Sequence, residues 1–262
     1  MIDEEKIVEF ARELVTAEDE RKPIDPITER AELSIEDAYK IQLEIIKMKM
    51  GRGERVIGKK IGLTNRRIQQ AFGVHQPDYG HILDKLVARE GLPIAISELI
   101  QPKIEVEIAF ILKDDLTGPG VTAAEVLRCT SGVLPVFEVI DSRIKDWKIK
   151  IQDTIADNAS IGRVILGSPI SAVYGVDLRT VGVVTRKNGE VVETAAGAAV
   201  LGNPAESVAW LVNKLAEYNV ALEKGELVIS GSLIAPINIG EGDTIQADFG
   251  SGLGSVTTCF SR

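Results

Sequence analysis

The character of the sequence changes near Arg55, and this change constrains the fold more than any other feature. Before it, apolar residues recur at helical spacing in residues 2–15 and again after Leu33. After it, segments become short, rich in β-branched residues and separated by glycine and proline. Strands and helices do not alternate regularly, which disfavours a Rossmann fold or a TIM barrel. The sequence therefore predicts an α+β chain with a smaller helical N-terminal part and a mainly β core.

Local signals place the individual elements. Ser34, with Asp37 three residues later, predicts the capped start of the second helix. Asn188-Gly189 predicts a type I′ hairpin turn, and Pro204 is expected to open a helix over residues 204–218. A further helix is expected over 122–132, and the predicted strands are 56–62, 104–112, 133–140, 181–185, 190–194 and 226–231. We expect an N-terminal part over residues 1–80 and a β-rich core over 81–262.

Charge and composition exclude several classes of protein. The chain of 262 residues carries 30 Lys and Arg against 39 Asp and Glu, a net charge of −9, so it repels nucleic-acid phosphates and anionic membrane surfaces. No apolar run approaches the roughly 18 residues of a membrane span, and the acidic start lacks a signal-peptide pattern. Cys129 and Cys259 are too few for a disulfide framework. We expect a cytoplasmic protein with no nucleic-acid or membrane partner.

Two glutamates in one predicted strand are the first candidate site. Glu105 and Glu107 alternate with apolar residues, so their side chains point to the same face, roughly 7 Å apart. Ala109 and Ile111 continue that face, which is therefore not fully solvated. Two partly buried carboxylates repel each other, and Mg²⁺ or Mn²⁺ would relieve both the repulsion and the desolvation. The alternative is an exposed strand edge with two solvated glutamates.

A third carboxylate strengthens the metal interpretation. Glu138 lies within an apolar segment, and Val136 and Ile140 share its face. A lone glutamate in a buried strand needs a partner. The partner is either a cation shared with the first two glutamates or a basic residue such as Arg143.

Other residues carry weaker signals. One of the adjacent Lys59 and Lys60 must face inward if residues 56–62 form a half-buried strand. Burial would lower the pKa of such a lysine and suit it to acid/base work or anion binding, although two surface lysines are the commoner arrangement. Asp78 lies in a turn-rich loop, where a turn-forming role is the usual explanation. Asn158 and Ser160 could bind a carboxylate or form local Asx turns.

Several well-known catalytic motifs are absent. Gly250, Gly252 and Gly254 have the wrong spacing for a dinucleotide fingerprint, and the sequence has no Walker A motif. His75 and His81 are the only histidines, and no nucleophile elbow accompanies them.

Taken together, the motifs resemble those of the 2-hydroxypenta-2,4-dienoate (2-keto-4-pentenoate) hydratases and the related 4-oxalocrotonate decarboxylases. Both belong to the fumarylacetoacetate-hydrolase-like superfamily. The resemblance spans about residues 30–260. It rests on GKKIGLT (58–64), QPDYG (76–80), PKIEVEIAF (102–110), EVIDSRIKDW (138–147), DTIADNAS (153–160), AAVLGNP (198–204) and GLGSV (252–256).

The resemblance implies a β-roll-like core, a divalent metal (Mg²⁺ or Mn²⁺) and a homo-oligomer. Its motifs assign the metal ligands to Glu105, Glu107 and Glu138 and proton transfer or water positioning to Lys60 and Asp78. The candidate substrate contacts are Leu63, Asn158 and Ser160, with Ser160 near the substrate carboxylate.

Within the family, Gln76-Pro77-Asp78-Tyr79 and the sequence Ile-Lys-Asp-Trp over residues 144–147 are hydratase-like. The expected reaction is hydration of 2-hydroxypenta-2,4-dienoate to 4-hydroxy-2-oxopentanoate in meta-cleavage catabolism of aromatic compounds. The alternatives are decarboxylation of 2-oxo-3-hexenedioate and a non-catalytic partner role, since related hydratases and decarboxylases associate. Hydrolysis of acylpyruvates usually needs a well-placed histidine, and the poor histidine content argues against it.

Overall fold

The computed structural model describes residues 2–66, 69–70 and 73–262 of the chain. Two helices open it, α1 (Glu4–Glu20) and α2 (Ile35–Gly51). Asp3 caps α1, while Ser34 and Asp37 form the predicted capping box of α2. The apolar faces of both helices are buried, as their periodicity predicts.

A mixed, curled sheet of eight strands forms the centre of the molecule. Its strands are β1 (Val56–Gly62), β2 (Asp78–Leu83), β3 (Val87–Ala88), β5 (Lys103–Leu112), β6 (Thr130–Ile140), β7 (Ile161–Leu166), β10 (Leu227–Ile229) and β11 (Ile237–Asn238). The order is β2-β1-β10-β5-β6-β7-β3, and β11 pairs with the beginning of β5. The pair β1 and β10 is parallel, whereas β10, β5, β6 and β7 are successively antiparallel.

A second sheet has five strands in the order β4-β13-β12-β8-β9. They are β4 (Pro93–Ala95), β8 (Gly182–Lys187), β9 (Glu190–Ala196), β12 (Thr244–Phe249) and β13 (Gly254–Ser261). Asn188 and Gly189 join β8 to β9 with φ values of 54° and 86°, which confirms the predicted type I′ hairpin.

Three shorter helices lie further along the part of the chain that the structure describes: α3 (Ala123–Arg128), α4 (Ile151–Ala156) and α5 (Pro204–Ala216). The helix predicted over 122–132 was too long, because β6 already begins at Thr130. The helix predicted over 204–218 ends at Ala216, and the strand predicted over 226–231 is regular only to Ile229. Two residues further on, Gly231 has a φ of +106°, outside the extended region.

The expected boundary between residues 80 and 81 falls inside β2, and both β1 and β2 are strands of the central sheet. The division into two parts stays a prediction. Apolar residues cover both faces of the central sheet: Phe110 and Phe137 lie in the larger core, and Ala109 and Val136 in the smaller one. Across the described residues, no helix has the length and apolar character that a membrane crossing requires.

Candidate metal centre and substrate pocket

Three glutamates meet on one face of the paired strands β5 and β6. Glu105 lies directly opposite Glu138 in the antiparallel ladder, and Glu107 is two residues further along β5. The period of two along a strand puts all three side chains on the same face. One carboxylate oxygen from each lies within 4.8 Å of the others. Glu107 and Glu138 are buried, and Glu105 is half-buried.

Burial and mutual repulsion make this cluster electrostatically unfavourable on its own. Burial, reinforced by the charge of Glu138, raises the pKa of Glu105 to about 8 and that of Glu107 well above its usual range. Burial also raises the pKa of Glu138. Gly231 N–H donates to Glu107 Oε2 at 2.6 Å, but neither oxygen of Glu138 accepts an aligned hydrogen bond from the described residues. Clustered carboxylate oxygens are the ligands that Mg²⁺ or Mn²⁺ prefers, so the three side chains fit a divalent cation.

Lys60 lies beside this cluster. Its Nζ is 3.0 Å from Glu138 Oε1, an ion pair rather than an aligned hydrogen bond, and it donates to the carbonyl oxygen of Ala159 at 3.0 Å. Lys60 faces inward, as expected, but the expected lowering of its pKa was wrong. Burial does lower the pKa, yet the carboxylates of Glu138 and Asp78 outweigh it and raise the pKa above the usual value. The side chain is therefore an ammonium group at neutral pH.

Asp78 reaches the same space from β2, where it pairs with Gly62 of β1. Its carboxylate is buried, and burial raises its pKa even though Lys60 opposes the shift. Its Oδ1 has no hydrogen-bond partner among the described residues. A Cβ atom on Gly62 would lie only 2.1 Å from this oxygen, so the glycine leaves room for the carboxylate. Asp78 and Lys60 thus line the same space beside the glutamates.

Asn158 and Ser160 lie in a turn between α4 and β7. Asn158 accepts from His81 N–H through Oδ1 at 2.8 Å and donates to the His81 carbonyl through Nδ2 at 2.9 Å. Both polar atoms of its side chain thus bind the backbone of β2, and its expected role as a substrate contact stays a prediction. Ser160 donates to Asp157 Oδ2 at 3.1 Å and faces the pocket described next.

A pocket of about 560 Å³ joins these groups. Of the expected site residues, it is lined by Lys60, Leu63, Asp78, Glu105 and Ser160. Its apolar wall is formed by Ile140, Trp147, Ile149, Ala235 and Pro236. Lys103 also lines it, with Nζ 4.5 Å from the centroid of the Trp147 ring. The volume and the mixture of walls suit a small anionic molecule with a hydrocarbon chain. A larger groove of about 920 Å³ lies along α1, but none of these residues lines it.

Two features of the site were not foreseen from the sequence. Arg143, considered as an alternative partner for Glu138, instead binds Asp157. The buried Gln42 donates through Nε2 to the carbonyl oxygens of Tyr79 and Ile155, and its Oε1 lies 3.0 Å from His81 Nδ1. The sequence shows both residues only as polar side chains near apolar ones. It does not reveal their partners, which are more than thirty residues away for Gln42 and lie across a turn for Arg143.

The chain is similar in sequence and fold to several known proteins. The pattern of the fumarylacetoacetate (FAA) hydrolase C-terminal family matches residues 68–261. A 2-hydroxypent-2,4-dienoate hydratase of Pseudomonas putida is 51% identical over 222 residues, which cover 84% of this chain and all of that protein. A 2-hydroxyhexa-2,4-dienoate hydratase of Comamonas testosteroni is 41% identical over the full length of both proteins.

Among solved structures, the 4-oxalocrotonate decarboxylase of Pseudomonas putida G7, complexed with magnesium and adipate, superposes with a TM-score of 0.96. It is 39% identical, and the match covers 99% of each chain. The family match and these relatives establish that the chain belongs to the fumarylacetoacetate hydrolase C-terminal family.

Proposed function

We propose that the chain is a metal-dependent hydratase that converts 2-hydroxypenta-2,4-dienoate, or a close 2-hydroxy-2,4-dienoate, to the 4-hydroxy-2-oxo acid. The observation that carries the proposal is the cluster of three glutamates beside Lys60, where Glu105, Lys60 and Asp78 line one pocket. The similarity to two named dienoate hydratases supports the same reaction.

Glu105, Glu107 and Glu138 would hold Mg²⁺ or Mn²⁺. When bound, such a cation supplies Lewis acidity and positive charge for the enolate that develops on the substrate. The magnesium complex of the similar decarboxylase supports this assignment.

The remaining steps belong to the protein's own residues. Overall, protons reach C5 and C3, the oxygen of water reaches C4, and the enol at C2 loses its proton to become the ketone, so one water is added. Lys60 is charged and can donate a proton or orient water, while burial raises the pKa of Asp78 and so makes it a stronger base than an ordinary aspartate. Ser160 would orient the C1 carboxylate, and the apolar wall around Trp147 would exclude bulk water from the chain of the substrate.

Decarboxylation of 2-oxo-3-hexenedioate is the second candidate, favoured by the near-complete superposition on the decarboxylase. That reaction develops the same enolate after loss of CO₂ from C6, so the same residues would serve it. A purely non-catalytic partner would not need the buried glutamates and Lys60, all of which are present.

The experiment compares the two substrates with purified protein and Mg²⁺ or Mn²⁺. Loss of the dienol absorbance of 2-hydroxypenta-2,4-dienoate, without CO₂ from 2-oxo-3-hexenedioate, supports the hydratase. Release of CO₂ would favour the decarboxylase over the hydratase, and no reaction with either substrate would favour a non-catalytic role.

We also propose a cytoplasmic homo-oligomer, which could associate with a related hydratase or decarboxylase. Exposed Val191 and Val192 on the edge strand β9 support self-association. Light scattering after size-exclusion chromatography tests it, and a monomer at micromolar concentration would contradict it.

A further inference from the structure

The turn at residues 158–160 has an unusual backbone. Asn158, Ala159 and Ser160 are consecutive residues with φ values of 51°, 51° and 55°. This left-handed region is unfavourable for residues other than glycine, and runs of it are rare. The surrounding structure must therefore hold the turn in place.

Arg143 and Asp157 provide that hold. Arg143 Nε lies 2.5 Å from Asp157 Oδ1, and Arg143 N–H donates to Asp157 Oδ2 at 3.0 Å. The guanidinium also donates to the carbonyl oxygen of Asp157 at 2.5 Å and to that of Ile161 at 2.8 Å. These two carbonyls immediately precede and follow the left-handed residues. One buried arginine thus binds both ends of the turn, and its charge is balanced by the buried Asp157.

This left-handed turn also fixes the positions of two pocket residues, Lys60 and Ser160. The carbonyl oxygen of Ala159 accepts from Lys60 Nζ at 3.0 Å, and Ser160 donates to the other oxygen of Asp157. The fit against β2 is tight, because a Cβ atom on Gly80 would lie 2.6 Å from the carbonyl oxygen of Asn158. A displacement of the turn would therefore move both the acceptor of Lys60 and the hydroxyl of Ser160.

We propose that Arg143 and Asp157 are positioning residues, which hold the left-handed turn so that Ala159 orients Lys60 and Ser160 faces the substrate. The inference rests on the proposed function only in that Lys60 and Ser160 act on a 2-oxo or 2-hydroxy acid. Neither positioning residue is among the residues that line the pocket.

The test uses Asp157→Asn, Arg143→Met and the double variant, with Glu226→Gln as the matched control. Glu226 is partly buried, forms an ion pair 2.6 Å from the Nζ of the buried Lys59, and lines no part of the pocket. Three quantities are measured on the folded fraction: Mg²⁺ affinity, affinity for 2-oxopentanoate in the presence of Mg²⁺ by calorimetry, and kcat and KM with 2-hydroxypenta-2,4-dienoate.

We expect each single variant to bind Mg²⁺ within about twofold of the wild type, because the three glutamates are untouched. Affinity for 2-oxopentanoate should fall about tenfold and kcat by about 10- to 100-fold, because a small displacement of catalytic groups has effects of this size. The control should change neither. Wild-type binding and turnover in Asp157→Asn, or equal losses in Glu226→Gln, would overturn the inference.

A single variant that leaves a buried charge unpaired could fail to fold. The double variant removes both charges and therefore tests the inference if a single variant does not fold. Impaired 2-oxopentanoate binding with intact Mg²⁺ binding in the double variant supports the inference, and wild-type binding and turnover refute it. The binding measurements also separate this inference from the proposed reaction. A wild type that binds Mg²⁺ and 2-oxopentanoate but does not hydrate the dienoate refutes only the proposed function.

Discussion

Lys60 and Glu138 lie 3.0 Å apart, Nζ to Oε1, although two strands separate β1 from β6 in the sheet. Three strand spacings amount to about 14 Å in a flat sheet. The contact is possible because the sheet curls and both side chains lie on the same side of it. The curvature therefore brings the ammonium group of Lys60 on β1 to the carboxylates of β5 and β6.

Replacement of Lys60 tests its role in the reaction. Lys60→Met keeps most of the length of the side chain but removes the ammonium group, so kcat should fall by about 10²- to 10⁴-fold. Mg²⁺ should still bind, because its three carboxylates remain. Steady-state kinetics and Mg²⁺ calorimetry on the same preparation check this, with Lys85→Met at a site outside the pocket as the control. Turnover near the wild-type rate would remove Lys60 from the mechanism.

Glu107→Gln tests the metal centre. The amide can still accept from Gly231 N–H, but it lacks the charge that a divalent cation needs, so Mg²⁺ affinity should fall at least about 100-fold. Glu98→Gln is the control, because Glu98 is exposed and paired with Arg163. Calorimetric titration with Mg²⁺ measures both variants, and unchanged affinity in Glu107→Gln would refute the three-glutamate site.

Gly231→Ala should destabilise the fold. The φ of Gly231 is +106°, and an added Cβ would lie 2.2 Å from Thr64 Oγ1. We expect a loss of about 2–4 kcal/mol from backbone strain and overpacking. Gly225→Ala is the matched control, since its φ is +90° but the space around it is open. Its expected loss is about 1 kcal/mol. Urea unfolding measures both, and equal losses would show that the contact with Thr64 is unimportant.

His81 makes stability depend on pH. Burial lowers the pKa of His81 to about 3 in the folded protein, whereas the ordinary value is 6.5. Because Gln42 donates through its amide nitrogen to two carbonyls, its oxygen accepts from Nδ1–H of the neutral imidazole. Below pH 6.5, His81 binds a proton in the unfolded chain, but in the folded chain it stays neutral until the pH approaches 3. Stability should therefore fall as pH drops from 6.5 towards 3, by at most about 1.4 kcal/mol per pH unit.

Urea unfolding of the wild type and His81→Gln between pH 7 and 4.5 isolates this contribution from that of the carboxylates. The variant should show the shallower dependence on pH. Parallel curves for the two proteins would contradict a neutral, buried His81.

The sequence predicted those parts of the site that depend on local periodicity. Glu105 and Glu107 share a face because they are two residues apart, and Glu138 joins them because β5 and β6 are successive antiparallel neighbours in the sheet. The raised pKa of Lys60 could not be predicted, because it depends on carboxylates from distant parts of the chain.

Long-range topology also hid the Arg143–Asp157 pair. Both residues lie in irregular segments, where no periodicity indicates which way a side chain points. Only the return of the chain into β7 brings the carbonyl of Ile161 to the guanidinium.

The register of β5 against β6 has a consequence for how the chain reaches its native state. A slip of one residue would turn Glu138 to the opposite face of the sheet and leave Glu105 and Glu107 without it. Misaligned chains would then lack the full set of ligands, so a divalent cation would bind the correctly aligned chain in preference. By mass action, the ion would therefore increase the fraction of chains with the native strand register during refolding, in addition to its role in the reaction.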